Sequence, residues 1–245
     1  RTIHGGLRYL QTLDLPRARE SVRERRTLAR IAPWAVEPLP FVLPLYPSLT
    51  KGTLAMRAGF LLDAVVASGK NDGVALSHQL PIGRVLSTGE ARERWPEVRP
   101  LPVTGAALWY DYVTTEADRL TLAWALEAAA NGAVLANYVE ACALRDDGAD
   151  VTDRVTDGVF AIRARAIVNA SGGAIGRLME PLGQRLDLPL LQAVNLVTRL
   201  QAPAAAIGGR SASGRNLFVV PWRGRALFGT WESPGLCGPD DLTIG

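Results

Sequence analysis

The sequence predicts a mixed α/β (α+β) fold, and three observations support this prediction. A predicted helix over 117–131 leads into a predicted strand over 133–144, which is the helix-to-strand passage of an α/β unit. Over 164–180, an apolar strand runs into small residues and two glycines and then into a second helix. With 245 residues, 48% of them hydrophobic, the chain can bury a core as one large or two modest domains.

The chain begins with a loop, residues 1–10, that groups residue types suited to binding a ligand. Gly5 and Gly6 lack a Cβ, so the backbone beside His4 can approach a flat ligand closely. Arg8 offers a planar cation that suits a phosphate or a carboxylate, and Tyr9 follows it. This combination predicts a ligand site in the loop.

A helix is expected over 16–32, because a proline stands at its start and Pro33 closes it. Its arginines recur at helical spacing and form one face: Arg19, Arg23, Arg26 and Arg30. We interpret this as a solvated face with Glu20 and Glu24 as local partners. Contact with anionic lipid is the alternative, although the apolar side of Ala18, Val22 and Ala29 is thin for an interfacial anchor.

Alternation and helix periodicity predict the elements of the middle of the chain. They are a short buried strand over 41–43, a helix over 53–67 that is apolar all round and therefore buried, a turn over 68–73, a loop and short helix over 82–94 capped by residues 87–90, and a strand over 103–112. His78 is isolated in sequence, so we interpret it as structural or exposed.

The second half continues in the same way. Thr114, Thr115 and Glu116 should cap the helix over 117–131, and Gly132 should end it in the left-handed conformation. The expected core side of this helix comprises Leu120, Ala123, Trp124, Leu126 and Ala130. Further expected elements are a polar hairpin tip over 146–158, a strand over 188–200 and a hairpin of 216–221 with 225–231.

Composition argues against several classes of protein. Cys142 and Cys237 are far apart and lack ligand spacing, which argues against a zinc site or a disulfide framework and for a reducing compartment. The formal charge is +3, but the arginines are scattered among acids, so no nucleic-acid partner is expected. No run of about 18 apolar residues and no leader pattern is present, so no spanning helix is expected.

The segment from Thr2 to Leu10, T-I-H-G-G-L-R-Y-L, resembles the S-S-K-L-I-H-G-G-L-R-Y-L segment of the FAD-dependent glycerol-3-phosphate dehydrogenases, a branch of the D-amino-acid-oxidase-like flavoproteins. The resemblance continues in the same order through Glu24-Arg25, Ala32-Pro33, Ala117 to Leu120, Val168 to Gly172, and Pro221-Trp222 with Gly229-Thr230. It covers most of the chain, and so many spaced matches are difficult to obtain by chance.

The resemblance implies an FAD/NAD(P)-binding Rossmann-like half-domain, residues 1–35 and 113–187, interleaved with an antiparallel substrate-binding sheet, residues 36–112 and 188–245. It implies that FAD is the cofactor and that the residues contacting it are Thr2, Ile3, Gly5, Gly6, Val139, Ala170, Ser171 and Gly172. From the residues alone, Val139 could equally be a core valine, and 164–180 an ordinary strand, turn and helix.

The activity implied by the resemblance is oxidation of glycerol 3-phosphate to dihydroxyacetone phosphate by hydride transfer to FAD, in glycerol metabolism. His4 is the candidate base, since an imidazole with its ordinary pKa of about 6.5 can accept a proton near neutrality. Arg8 would bind the phosphate and Tyr9 would line the pocket. The expected electron acceptor is quinone or oxygen, and the expected location is cytoplasmic, with peripheral contact at the inner face of the membrane as an alternative.

The chain departs from this family in three places. Where the family typically has K-G-S-H, this chain has Gln192-Ala193-Val194-Asn195, and Asn195 can neither shuttle protons nor carry charge. No G-x-G-x-x-G is present, and the chain stops before a further phosphate-binding arginine and the C-terminal helical domain. We therefore expect an internal fragment. The alternatives are another FAD-dependent amine or hydroxy-acid oxidoreductase, or a non-catalytic flavoprotein fragment.

Overall fold

A computed structural model describes residues 2–48, 52–99, 101–114, 116–184, 186, 188–211, 216–238 and 240–241. The strands are β1 Thr2–Ile3, β2 Glu37–Leu45, β3 Arg84–Leu86, β4 Gly105–Val113, β5 Val139–Arg145, β6 Gly148–Asp153, β7 Val159–Arg163, β8 Ala193–Gln201, β9 Ala206–Arg210, β10 Asn216–Trp222 and β11 Arg225–Glu232. The α-helices are α1 Leu15–Ile31, α2 Thr53–Val66, α3 Thr88–Arg94, α4 Ala117–Ala130 and α5 Ile175–Met179. The predicted mixed class is confirmed.

The chain forms two compact units. One comprises Arg1–Ala123 and Asn195–Thr230, and the other Trp124–Val194 and Trp231–Gly245. Their boundaries differ from those of the two expected portions, because residues 2–35 and 36–112 lie in the same unit. Which portion binds the cofactor and which the substrate stays a prediction.

The first unit is built on a mixed sheet of order β1-β4-β2-β9-β10-β11-β8, with β3 pairing β4. β2 lies inside this sheet, antiparallel to β4 over its whole length and parallel to β9. It is longer than the strand expected over 41–43 although it contains Pro38, Pro40 and Pro44. These prolines are an even number of residues apart, so their missing amide groups all face one neighbouring strand and the hydrogen bonds on the other side remain.

The core of this unit lies against β2 and β4, with buried Val42, Leu86, Val98, Ala106 and Leu108. α1 buries its apolar side, Ala18, Val22 and Ala29, as expected, and begins one residue earlier than predicted because Asp14 accepts a hydrogen bond from the Arg17 amide. Most of its arginine face is exposed, but Arg26 donates to the Gly69 carbonyl at 2.8 Å. α3 carries the expected capping box of Ser87 and Glu90, and β3 lies where a loop was expected.

The expectation that the helix over 53–67 is buried all round was wrong. α2 buries Phe60 and Val66, whereas Leu54 and Leu61 are 78% and 73% exposed. Phe60 packs with Leu45 and Ala107, so only one side of α2 contacts the sheet. An apolar sequence pattern indicates that a helix can be buried, but each face becomes buried only where another element of the fold packs against it.

The second unit contains an antiparallel sheet, β5-β6-β7. β6 occupies the segment expected to be a hairpin tip, so the polar stretch is two turns with a strand between them. The strand expected over 133–144 begins only at Val139, and that expected over 188–200 begins at Ala193. No strand forms over 164–170, and Val168 is 88% exposed, because none of the strands in the described residues pairs with this segment.

The predictions for α4 and for the C-terminal hairpin are partly confirmed. α4 ends as predicted, with Gly132 at a φ of 91° and the Ala133 amide donating to the Ala128 carbonyl. Of its expected core side, Leu120 is buried as predicted, whereas the prediction was wrong for Trp124 and Leu126, which are exposed. Thr115, part of the expected cap, lies outside the described residues. The C-terminal hairpin is confirmed: Trp222 pairs with Arg225 across a two-residue turn in which both residues have positive φ.

Candidate functional site

The predicted loop is attached to the sheet through β1. β1 pairs with β4 in antiparallel register, Thr2 opposite Val113 and Ile3 opposite Tyr112. Continuing this register by one residue brings His4 beside Asp111, and the His4 Nδ1 lies 3.7 Å from the Asp111 Oδ2. The His4 side chain is 70% exposed, whereas that of Asp111 is 3% exposed. The predicted base is therefore an exposed imidazole above a buried carboxylate.

Asp111 is held by donors from three different parts of the chain. Its Oδ1 accepts a hydrogen bond from the Gly5 amide at 2.8 Å and another from Arg25 Nη1. Its Oδ2 accepts from the Trp109 indole N–H at 3.1 Å. Arg25 is buried as well and also donates to the Tyr110 carbonyl at 3.3 Å. A buried charge requires its partner, so this ion pair fixes the loop, α1 and β4 together.

The structure gives Gly5 a reason to be glycine that does not involve a ligand, and its close approach to a ligand stays a prediction. A Cβ at this position would lie 2.6 Å from Arg25 Nη2 and closer still to Nη1 and Cζ. The guanidinium thus occupies the space where a side chain would be. Gly6 follows in the left-handed region with a φ of 81°, which glycine adopts without strain.

Arg8 and Tyr9 lie in the short 3₁₀ helix Leu7–Thr12 that continues the loop. Tyr9 is half-buried, and its ring centroid lies 5.9 Å from the Arg8 Cζ and 5.6 Å from the Arg17 Cζ. Arg8 itself is exposed. His4, Arg8 and Tyr9 therefore lie on one loop of the first unit, with two guanidinium groups within cation–π distance of the Tyr9 ring.

Two further ionisable groups lie within electrostatic reach of the Arg25–Asp111 pair. Burial raises the pKa of the Asp63 carboxyl, and Lys70 and Arg25 oppose that rise. Burial also lowers the pKa of the Lys70 ammonium, and the nearby Arg25 lowers it further. The Lys70 Nζ donates to the Pro81 carbonyl at 2.8 Å. The Arg25–Asp111 pair thus lies within electrostatic reach of one further acid and one further base.

The other predicted cofactor residues, Val139 and residues 170–172, lie in the second unit. Val139 opens β5 opposite Asp153 and is half-buried. Ser171 donates to the Asn169 Oδ1 through both its amide, at 3.3 Å, and its hydroxyl, at 2.7 Å. Gly172 has a φ of 61° and no atom within 4 Å of the position of a Cβ. Ala170, Ser171 and Gly172 are exposed, so the backbone of this turn is open to a flat ligand.

A cavity of about 390 Å³ in the second unit includes Gly173 in its lining, next to this turn. Its wall also contains Arg177, whose Nη2 donates to the Asp240 carboxylate at 2.6 Å, and the free thiol of Cys237. Among the described residues, no group of histidine, cysteine or acidic side chains is arranged to hold a metal ion. In the same part of the chain, no helix combines the length and apolar character needed to cross a membrane.

The Gln192 to Asn195 segment is engaged in hydrogen bonds. The Asn195 Oδ1 accepts from the Thr230 hydroxyl at 3.1 Å in the first unit. In the second unit, the Gln192 amide donates to the Ser233 hydroxyl at 3.1 Å, and its Nε2 donates to the Asp241 carbonyl at 3.1 Å. These hydrogen bonds engage polar groups of Gln192 and Asn195, in the segment where the sequence departs from the pattern of the family that it resembles.

Sequence reasoning missed Asp111, Trp109 and the role of Arg25. Arg25 entered only as a family match, although it falls at helical spacing with Ala18, Val22 and Ala29 and therefore lies on the apolar side of the helix. Asp111 also left a signal, because it is the one charged residue in the otherwise apolar and aromatic strand 105–113. A charge in a central strand is costly unless it is paired, which makes it a candidate functional residue.

The chain is similar to known proteins over most of its length. The chain is 32% identical to the mitochondrial glycerol-3-phosphate dehydrogenase of Rattus norvegicus, over 95% of this chain and 34% of that protein. It is 38% identical to glycerol-3-phosphate dehydrogenase 1 of Mycobacterium bovis (strain ATCC BAA-935 / AF2122/97), over 75% of this chain and 35% of that protein. The chain therefore spans about a third of the length of these relatives.

Two solved structures show the fold. The glycerol-3-phosphate dehydrogenase of Bacillus halodurans complexed with FAD superposes with a TM-score of 0.61 at 24% identity, covering 86% of this chain and 38% of that one. L-proline dehydrogenase from P. horikoshii superposes with a TM-score of 0.59 at 15% identity, covering 94% and 57%. The family model described as DAO, FAD dependent oxidoreductase, matches residues 1–243. Since this match spans nearly the whole chain, the chain belongs to the FAD dependent oxidoreductase family.

Proposed function

We propose that this chain supplies cofactor and substrate contacts of an enzyme that oxidises glycerol 3-phosphate to dihydroxyacetone phosphate. The observation that carries the proposal is the loop of His4, Arg8 and Tyr9, in which an exposed imidazole lies above a buried carboxylate. The similarity to proteins named glycerol-3-phosphate dehydrogenase supports the choice of substrate.

The residues present fit FAD. The turn of Ala170, Ser171 and Gly172 is exposed, and no atom lies where a Gly172 Cβ would be, so there is room for a flat ring or a phosphate against it. The cofactor contacts that the resemblance implies for Thr2, Ile3, Gly5 and Gly6 in the first unit, and for Val139 in the second, stay predictions. Bound FAD would supply the hydride acceptor.

The protein has three tasks in this reaction. The exposed Arg8 guanidinium binds the phosphate of the substrate by charge-assisted hydrogen bonds. The half-buried Tyr9 ring forms a wall beside it. The His4 imidazole accepts the proton of the substrate hydroxyl. The hydride on the carbon that bears this hydroxyl would pass to bound FAD, so that the alcohol becomes a ketone.

The test is the visible spectrum of the purified, FAD-loaded protein before and after anaerobic addition of glycerol 3-phosphate. Bleaching of the flavin band is expected, and His4→Ala should slow it by about a hundredfold or more. The matched control is His78→Gln, because His78 serves through its carbonyl, which accepts from the Tyr112 hydroxyl. A flavin band that persists on addition of substrate refutes glycerol 3-phosphate, and a protein that binds no flavin refutes the proposal as a whole.

A second candidate is an FAD-dependent oxidoreductase acting on an amine or a hydroxy acid. The observation in its favour is Asn195, an uncharged residue whose Oδ1 is taken up by the Thr230 hydroxyl. A small panel of amines, hydroxy acids and glycerol 3-phosphate, scored by flavin bleaching, separates the two. Reoxidation of the bleached protein by oxygen or by a quinone identifies the electron acceptor.

For location, we propose a cytoplasmic protein that touches the inner face of the membrane through the exposed arginines of α1, namely Arg19, Arg23 and Arg30. Such contact would be mainly electrostatic, because the apolar side of α1, Ala18, Val22 and Ala29, is buried. Cosedimentation with vesicles containing anionic lipid, lost when all three arginines are replaced by glutamine, is expected. Equal binding to neutral vesicles would contradict an electrostatic contact.

A further inference from the structure

We propose that Asp111 is the positioning residue of His4: it faces the Nδ1 side of the imidazole, selects the tautomer with the proton on Nδ1, and so presents an unprotonated Nε2 to the substrate. This inference rests on the proposed function only for its last step, the use of Nε2. The orientation and tautomer of His4 are properties of the protein itself.

The two oxygens of Asp111 have different partners. Oδ1 accepts from the Gly5 amide and from Arg25, which together account for its two lone pairs. Oδ2 accepts from the Trp109 indole and retains capacity for one more donor. The His4 Nδ1 is 3.7 Å from this oxygen. The structure therefore separates a structural oxygen, which holds the loop, from an oxygen that faces the imidazole.

A carboxylate facing a neutral imidazole favours the tautomer that donates to it. The separation of 3.7 Å exceeds the 2.7–3.2 Å range of an N–H···O hydrogen bond, so a small rotation of the exposed His4 ring must close it. Such contacts commonly tighten when a substrate binds. Trp109 and Arg25 restrain the carboxylate, so the imidazole is the partner that moves.

The surrounding charges favour a fixed carboxylate. Arg25 supplies the counter-charge that buried Asp111 requires, and Asp63 and Lys70 lie within electrostatic reach from α2 and the loop after it. The Arg25 side chain is 7% exposed and cannot leave the pair without leaving a buried charge alone. Asp111 thus combines a fixed position with an oxygen, Oδ2, that lies 3.7 Å from the His4 Nδ1 and can accept one more hydrogen bond.

The tautomer can be measured without flavin, substrate or turnover. The chain has two histidines, His4 and His78, so protein labelled with ¹⁵N-histidine gives two imidazole spectra, and His78→Gln removes one of them. The tautomer is read at alkaline pH, where the His4 ¹⁵N signals no longer change with pH because the imidazole is neutral. There we expect a protonated Nδ1 and an unprotonated Nε2. A proton predominantly on Nε2 in the unmodified protein overturns the proposal, and this result needs no variant that must fold.

Asp111→Asn then tests the cause. In this variant, the side-chain carbonyl oxygen can still accept a hydrogen bond from the Gly5 amide. The side-chain NH2 group that replaces Oδ2 is a donor, so it no longer favours a proton on the His4 Nδ1. We expect loss of the tautomer preference and a fall in the rate of flavin reduction of about tenfold or more, with little change in KM or the flavin spectrum. Trp109→Phe is the matched control, since it removes the other partner of Oδ2 and should keep the tautomer.

An unchanged tautomer in Asp111→Asn overturns the proposal. A protein with the expected tautomer that fails to oxidise glycerol 3-phosphate refutes the proposed function and upholds the positioning of His4, so the two failures are distinguishable.

Discussion

Replacing Gly5 by alanine tests the packing of the loop against Arg25. Gly5 is not in the left-handed region, so the cost of Gly5→Ala must come from contact rather than from backbone strain. The new Cβ would lie 2.6 Å from Arg25 Nη2, about 0.8 Å or more inside an ordinary contact of roughly 3.4 Å or longer, and it would overlap Nη1 and Cζ more severely. The guanidinium must therefore move by about 1 Å.

That movement has a predictable cost. Arg25 would lose its bond to the Tyr110 carbonyl, which is already 3.3 Å long, and weaken the one to Asp111. A charge-assisted hydrogen bond contributes about 1.5–3 kcal/mol, and overpacking costs about 1–3 kcal/mol. Since the two costs overlap, we expect Gly5→Ala to lower the free energy of unfolding by about 2–4 kcal/mol, or the midpoint temperature by about 5–15 °C.

Thermal and urea unfolding of the purified protein measure this change. The matched control is Gly59→Ala in α2, where no atom lies within 4 Å of the new Cβ and alanine is the better helix former. A double-mutant cycle with Arg25→Ala should show coupling of about 1 kcal/mol or more, because the clash disappears with the guanidinium. Stability of Gly5→Ala within about 0.5 kcal/mol of the unmodified protein would refute this account of the site.

Two further predictions concern the sheet and α2. Burial raises the pKa of the Tyr112 phenol, so its stabilising contribution is fully present below the unfolded value of about 10 and is lost as the pH rises through the folded value. Tyr112→Phe should weaken the alkaline loss of stability and cost about 1–2 kcal/mol at neutral pH; an unchanged alkaline limb in pH-dependent unfolding would contradict this. Phe60→Ala should cost about 3–5 kcal/mol, whereas Leu61→Lys on the exposed side of the same helix should stay within about 0.5 kcal/mol. Equal losses in urea unfolding would show that α2 is covered on both sides.

Local sequence signals identified several elements correctly. Proline at the start of α1, the Ser87 and Glu90 capping box of α3, Gly132 at the end of α4 and the C-terminal hairpin depend on residues close together in the chain. The ligand loop could be singled out for the same reason, since His4 to Tyr9 are contiguous. For these features, the interactions that decide the conformation are formed within a few residues.

Burial was less predictable. The apolar patterns of α2, α4 and residues 164–170 suggested packing that the structure does not show, because a pattern describes one side of a contact and the neighbour supplies the other. Strand formation over 164–170 fails for the same reason, since a strand is defined by its partner. Conversely, β2 is longer than its proline-spaced sequence indicated, because β4 and β9 support it on both sides.

The candidate site shows most clearly which features depend on the sequence alone and which depend on the tertiary structure. The sequence by itself determined that His4, Gly5, Gly6, Arg8 and Tyr9 form one loop, because they are adjacent. Only the tertiary structure decided what lies beneath that loop, since Asp111 is 106 residues from Gly5 and 86 from Arg25. Antiparallel pairing of β1 with β4 and packing of α1 bring these groups together, and burial makes each charge depend on the other.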